Sequence, residues 1–252
     1  HMPALAYDSA NDKAVLFGGY SGTHFQDTWL YDPAADVWRE VFPDSHPSAR
    51  SSAEMTYDTG SGVMVLFGGA ASGLRDDETW TYDVGANKWT QKFPSTKPSA
   101  RFSHAMAYDS ANGVTVLFGG SDSASYDDET WTYSVSSDTW TQKSPSTKPS
   151  VRGKHAMAYD SASKNIVIFG GTGTSPTYKS NICTYSLSSN TWTEKSPSSK
   201  PTARHDPTMV YDDARGKLLV LGGRAELAGQ YASFDQEEVD ASTADIGEWS
   251  DL

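Results

Sequence analysis

Residues 104–108 of the chain alternate large and small side chains: His104, Ala105, Met106, Ala107 and Tyr108. In an extended segment this puts His104, Met106 and Tyr108 on one face and the two alanines on the other. Residues 109–113 have turn composition. Val114–Phe118 is apolar at nearly every position, as in a strand covered on both faces. A polar loop over residues 119–128 leads to a third strand at 130–133. A turn at 136–138 leads to a fourth at 139–142, and the proline-rich segment 144–149 crosses onward. The pattern predicts four antiparallel strands joined by short turns. A sheet with two apolar faces cannot stand alone, so neighbouring sheets must cover each other.

The unit repeats. The apolar second strand ends in a glycine pair each time, and the second glycines are Gly19, Gly69, Gly120, Gly171 and Gly223, at steps of 50, 51, 51 and 52 residues. A period of about 50 residues made of short strands predicts a β-propeller. The reading is all-β: one domain over residues 1–252, five four-stranded antiparallel blades, about twenty strands. The repeats are drawn at 3–46, 47–97, 98–148, 149–200 and 201–252. The alanine face of each first strand is expected to meet the Met/Tyr face of the next. His1 and Met2 read as an expression scar, and the first repeat reads as starting inside a natural one, since it lacks the Pro-x-x-Arg that precedes the other four. The fifth is degenerate: residues 231–234 stand at the third-strand place, the acidic stretch 236–246 reads as a solvated loop, and residues 248–250 form the last strand.

A double glycine is followed by Tyr31 and Trp38, Tyr82 and Trp89, Tyr133 and Trp140, and Tyr185 and Trp192, while the fifth repeat has Phe234 and a more distant Trp249. This spacing resembles the kelch repeat, in the galactose oxidase-like superfamily of propellers. The resemblance covers nearly the whole chain and implies the fold. It leaves function open, because one propeller scaffold hosts unrelated activities.

The net charge of −12 argues against nucleic acid and anionic membrane as main partners. No apolar run reaches membrane-spanning length, so no membrane insertion is expected. Cys183 is the single cysteine, so no internal disulfide framework exists. The compartment stays open, with a lean towards an extracytoplasmic setting.

In a propeller the loops between second and third strands share a face with the blade crossings. That face is expected to gather Arg50, Arg101, Arg152 and Arg204 in a partial ring at the channel mouth, suited to carboxylates or phosphates. The resemblance adds that crossing arginines hold an acidic peptide in an animal kelch adaptor; Arg50, Arg101 and Arg152 match those places, and Arg204 follows by period. The same face carries Asp27, Asp76, Asp77, Glu78, Asp127, Asp128 and Glu129. Three readings stand: the acids pair with the arginines and fix each crossing, the arginines bind an anion, or the acids bind a cation or polyol. His104 and His155 lie at the entries of adjacent first strands. Their counterparts Pro3, Ala53 and Pro207 cannot complete a ligand set, so neither metal nor cofactor is expected. Tyr126 and Tyr178, with Tyr20, His24 and Arg75, supply variable loop contacts. Trp29, Trp80 and Trp131 read as packing elements rather than sugar platforms. Cys183 stands at the place of Trp131 and reads as a core substitution, unlike the Cys–Tyr cross-link of galactose oxidase. The favoured function is a monomeric binding module for a protein, peptide or glycan, possibly anionic, with no catalytic residue assigned. The alternatives are an enzyme on an acidic sugar (mutarotase, epimerase or lyase type) and a structural spacer of a larger surface protein.

Overall fold

The computed structural model describes residues 1–174 and 177–225, together with the backbone of 247–249. Among the described residues it is an all-β propeller of five blades, with a two-stranded ribbon, Ala70–Ala71 and Leu74–Arg75, in the loop of the second. The first four are four-stranded antiparallel meanders, each blade strand paired to the next blade strand along the chain. The first blade is Ala4–Asp8, Lys13–Tyr20, His24–Asp32 and Val37–Val41. The second is Glu54–Asp58, Val63–Phe67, Thr79–Asp83 and Lys88–Lys92. The third is Ala105–Asp109, Val114–Phe118, Thr130–Ser134 and Thr139–Lys143. The fourth is Ala156–Asp160, Asn165–Phe169, Ile182–Ser186 and Thr191–Lys195. The fifth blade has Arg204–Asp212, Lys217–Ala225 and Gly247–Trp249.

Gly247–Trp249 pairs directly with the second strand of its blade, Trp249 opposite Leu218 as Tyr185 is opposite Ile166. It therefore holds the third-strand place and not the outermost place expected for residues 248–250. The third strand expected at 231–234 and the acidic stretch 236–246 lie outside the described residues.

The first strands stack in chain order from the first blade to the fifth. Ala105 and Ala107 of the third blade, with Val116 and Phe118, pack against Met157, Ile166, Ile168, Tyr185 and Trp192 of the fourth. Ala156 and Ala158 likewise meet Met209, Leu218 and Val220 of the fifth. Small side chains on one face admit large ones from the next, so the alternation in the sequence sets the spacing of the blades. The two end faces differ from the interior ones. Leu5 is 57 % exposed and Trp38 45 %, whereas their counterparts Met106 and Trp140 are buried; Val210 and Leu221 are exposed on the far side of the fifth blade.

Polar bonds fasten each junction. The indole of Trp140 lies 4.9 Å from the ring of its register partner Tyr133. Its Nε1 donates to Thr79 Oγ1 of the preceding blade at 2.9 Å, and Trp89 and Trp192 repeat this with Thr28 and Thr130. Trp140→Phe keeps most of the ring and loses that bond. It is expected to lower stability by about 1 kcal/mol, read as a lower midpoint in urea with an unchanged slope. On the face opposite the crossings, the buried carboxylates Asp8, Asp58 and Asp109 cap their own turns, and each lies near a tyrosine of the following blade, Tyr57, Tyr108 and Tyr159, whose pKa is raised by burial first and by the carboxylate after it. Around the axis runs a relay of main-chain bonds: Ser52 N–H to Met2 O, Ser103 to Ser52, Lys154 to Ser103 and Asp206 to Lys154, at 2.8–3.1 Å. All five residues are left-handed, with φ of 53–61°.

Candidate functional site

The glycine pair positions the loop face. Gly119 has φ +67°, and a Cβ there would lie 2.4 Å from the carbonyl oxygen of Arg152. A Cβ on Gly120 would lie 2.9 Å from that of His104. Only glycine lets the crossing approach so closely in this conformation. The crossing then pairs with the loop: Gly120 N–H donates to Arg152 O at 2.9 Å, and Arg152 N–H to Asp127 O at 3.0 Å. The same two bonds recur at Arg50, Arg101 and Arg204. Loops and crossings therefore share one face.

Each arginine uses its main chain on one blade and its guanidinium on the next. Arg101 is 1 % exposed. Its Nε donates to Ser99 O at 3.1 Å, Nη1 to Gly119 O at 3.0 Å, and Nη2 to Ser99 Oγ at 3.0 Å and Glu129 Oε2 at 2.6 Å. Asp127 Oδ2 lies 3.2 Å from Nη2. Arg50 repeats the set with Ser48, Gly68, Glu78 and Asp76. Glu78 and Glu129 are oriented further by the indoles of Trp80 and Trp131 and by Gln91 and Gln142. Against the opposing effect of burial, these donors and the guanidinium hold both glutamates below the usual carboxylate range. Arg50 and Arg101 are thus joined to the acids of their own loop face. Asp27 has no crossing arginine: Trp29 Nε1 donates to its Oδ2 at 2.7 Å, and its buried Oδ1 has no hydrogen-bond partner.

The fourth blade differs. Asn181 and Lys179 stand where Glu129 and Asp127 stand, Cys183 replaces Trp131, and Glu194 replaces Gln142. Arg152 is fully buried and keeps its bonds to Ser150 and Gly170, but its side-chain partner is Asn181 Oδ1, at 2.9 Å from Nη1. Burial lowers its pKa. Burial pushes the Cys183 thiol up to about 11, so it is a neutral packing group, and Asn181 Nδ2 lies 3.6 Å from its sulfur. Arg204 bonds to Thr202 and Gly222 in a solvent-exposed setting.

His104 and His155 are wedged at the strand entries, edge-on to Phe67 and Phe118 at 5.5 and 5.6 Å. None of their four ring nitrogens has a hydrogen-bond partner. Burial first, then the neighbouring arginine, pushes the His104 pKa down to about 3, and His155 is lowered for the same reasons. Both are neutral near pH 7.

The outer layer of the face is where the blades differ most. The loops of the second, third and fourth blades each lay one side chain on the residue that follows the next crossing arginine. Arg75 lies over the Phe102 ring, 5.3 Å from its centroid. Tyr126 rests on Gly153, whose added Cβ would touch the ring at 3.3 Å. Tyr178 stacks on His205 at 5.0 Å and 13°. One acid escaped the sequence reading. Glu54 takes a first-strand place held by Ala4, Ala105 and Ala156, and burial raises its pKa to about 8. The break in the alanine pattern was its signal.

Comparison with known proteins agrees with this architecture. A family model described as Attractin/LZTR1 beta-propeller matches residues 64–239. The chain is 28 % identical over 206 residues to human multiple epidermal growth factor-like domains protein 8, and 27 % identical over 206 residues to the mouse protein. Each match covers 74 % of this chain and 7 % of that relative. It is 26 % identical over 129 residues to Mei4-dependent protein 6 of Schizosaccharomyces pombe, covering 46 % of this chain and 18 % of that protein. The chain therefore spans a small part of these relatives.

Proposed function

Because the chain belongs to the attractin/LZTR1 β-propeller family, we propose that it is a recognition module whose loop face holds a partner protein. The supporting observation is the contrast between the two layers of that face. Below, the crossing arginines repeat nearly the same bonds from blade to blade. Above, the contacts differ: a cation over a ring, a ring on a glycine, a ring on a ring. Repeated bonds below hold the crossings in place, and differing side chains above give each sector its own chemistry. Loops on a fixed scaffold are where binding residues concentrate. Arg75, Tyr126 and Tyr178 are the anchors of this reading, and aromatic and arginine side chains dominate binding energy at such surfaces. Leu74, at 76 % exposure, adds an apolar tip beside Arg75.

The test is affinity capture with the immobilised chain, comparing wild type with the triple variant Arg75→Ala, Tyr126→Ala and Tyr178→Ala. A second variant changes Lys88 and Lys143 on the outermost strands. Partners retained by wild type and by the outer-strand variant, and lost by the loop variant, support the reading. Equal retention by all three overturns it.

A further inference from the structure

We propose that the fourth blade carries a binding site for a carboxylate of the partner, centred on the buried guanidinium of Arg152. This deepens the loop-face reading and rests on it. The observation is a difference between otherwise equivalent places. In the second and third blades the crossing arginine meets two carboxylates of its own chain, at 3.0 and 2.7 Å and at 3.2 and 2.6 Å. In the fourth, both acids are replaced, by Asn181 and Lys179, and no carboxylate of the described residues lies within 4.0 Å of Arg152.

The replacement leaves a specific donor. Nη2 of Arg101 gives one hydrogen to Ser99 Oγ and the other to Glu129. Nη2 of Arg152 gives one to Ser150 Oγ, at 3.2 Å, and Asn181 is engaged by Nη1 instead. The second Nη2 hydrogen, which meets the glutamate in the other blades, has no acceptor among the described residues. A buried guanidinium without a counter-charge is costly, and a carboxylate is the group whose geometry it fits.

The surroundings agree. Lys179 adds a second buried cation close enough that Arg152 helps to lower its pKa, after burial itself. His155 contributes no charge, being held neutral by burial and by Arg152. The acid of this blade has moved to Glu194, register partner of Cys183 on the outermost strand. It influences Arg152 through space but makes no ion pair with it. Access follows from the other blades: Asp127 and Glu129 are each 31 % exposed, so a carboxylate at this place stands at the surface. A ligand carboxylate arriving from the loop side would meet Nη2 beside Asn181, which holds the place of Glu129 but engages Nη1.

The experiment uses acetate as the probe, against chloride at matched ionic strength and pH 7. Acetate at about 100 mM is expected to raise the melting temperature of the wild-type chain by about 2–4 °C over chloride. Asn181→Glu rebuilds the acid of the other blades. It should raise the melting temperature in chloride and abolish the acetate increment. Asn181→Asp, with a shorter acid, should reduce the increment and serves if the first variant folds poorly. An increment absent from wild type, or unchanged in both variants, overturns the proposal. Two short peptides separate the sources of the carboxylate: one has an internal glutamate and an amidated end, the other a free C-terminus and no acid. Competition with acetate by the first assigns a side chain, and by the second a chain end. The triple loop variant keeps Arg152, so the acetate increment should survive in it. The two readings can then fail independently.

Discussion

Arg101→Ala is expected to lower the stability of the chain by about 2–3 kcal/mol, less than for a wholly buried ion pair because the two carboxylates left behind are partly exposed. The substitution removes five contacts and restores none. Gly119 O loses its donor, and Glu129 and Asp127 lose the cation between them. The main chain at this residue still joins Gly69 and Asp76 of the second blade. The loss therefore falls on the junction with the third blade. Arg204→Ala, which removes hydrogen bonds in an exposed setting, should cost about 1 kcal/mol. Denaturant unfolding of the two variants measures the difference. A loss at Arg101 no larger than that at Arg204 would show that the carboxylates are equally well served by water. Small domains have only about 5–15 kcal/mol in total, so Arg101→Ala takes a large share of the stability.

The second large effect is acid destabilisation by the two buried histidines. The folded-state pKa of His104 is about 3, against 6.5 for the unfolded chain, so the unfolded state binds the extra proton first. The stability this contributes is complete above pH 6.5 and is lost as pH falls from 6.5 towards 3. His155 is shifted the same way. For His104 the loss is on the order of 3 kcal/mol or more by the lower end of that window. Glu54 acts in the opposite direction. Its folded-state pKa of about 8 lies above the ordinary 4.5, so its contribution is complete below pH 4.5 and declines as pH rises through 8. The comparison that isolates the histidines is His104→Ala with His155→Ala against wild type, from pH 7 to pH 4.5. Ala53 already occupies this place in the second blade. The double variant should be less stable at pH 7, because it loses packing, yet flatter in its pH dependence. Parallel curves would mean that the histidines do not titrate on unfolding.

The architecture was legible because it rests on repetition. The alternation from His104 to Tyr108, the double-faced apolar strand after it and the glycine pair recur in register, and blade packing follows from their geometry. The bonding of Arg50 and Arg101 to the acids was one of three readings, since sequence puts both charges on one face without saying whether they touch. Arg152 was grouped with them because its own position is in register. What sets it apart is Asn181 at the place of Glu129, a correspondence that follows from Cys183 at the place of Trp131 but says nothing of bonding until the contacts of Arg152 are seen. The left-handed residues of the axial relay had no compositional sign, being Met2, Ser52, Ser103, Lys154 and Asp206. Residues 248–250 read as the outermost strand because residues 231–234 read as the third, whereas Gly247–Trp249 pairs with the second strand.

The arginine bonds have a direction. Each guanidinium reaches forward, from the crossing that closes one blade into the sheet that follows, so each blade borrows its cation from the segment before it. Shortening the molecule is therefore unequal at its two ends. Removing a repeat after the fourth blade takes away acceptors. Removing the crossing before the third blade takes away the donor of Gly119 O and the cation between Asp127 and Glu129, and leaves Glu129 only the donors of its own blade, Trp131 and Gln142. The polarity of the polypeptide thus becomes a polarity of mutual support, and permuted or trimmed versions of this propeller should inherit it.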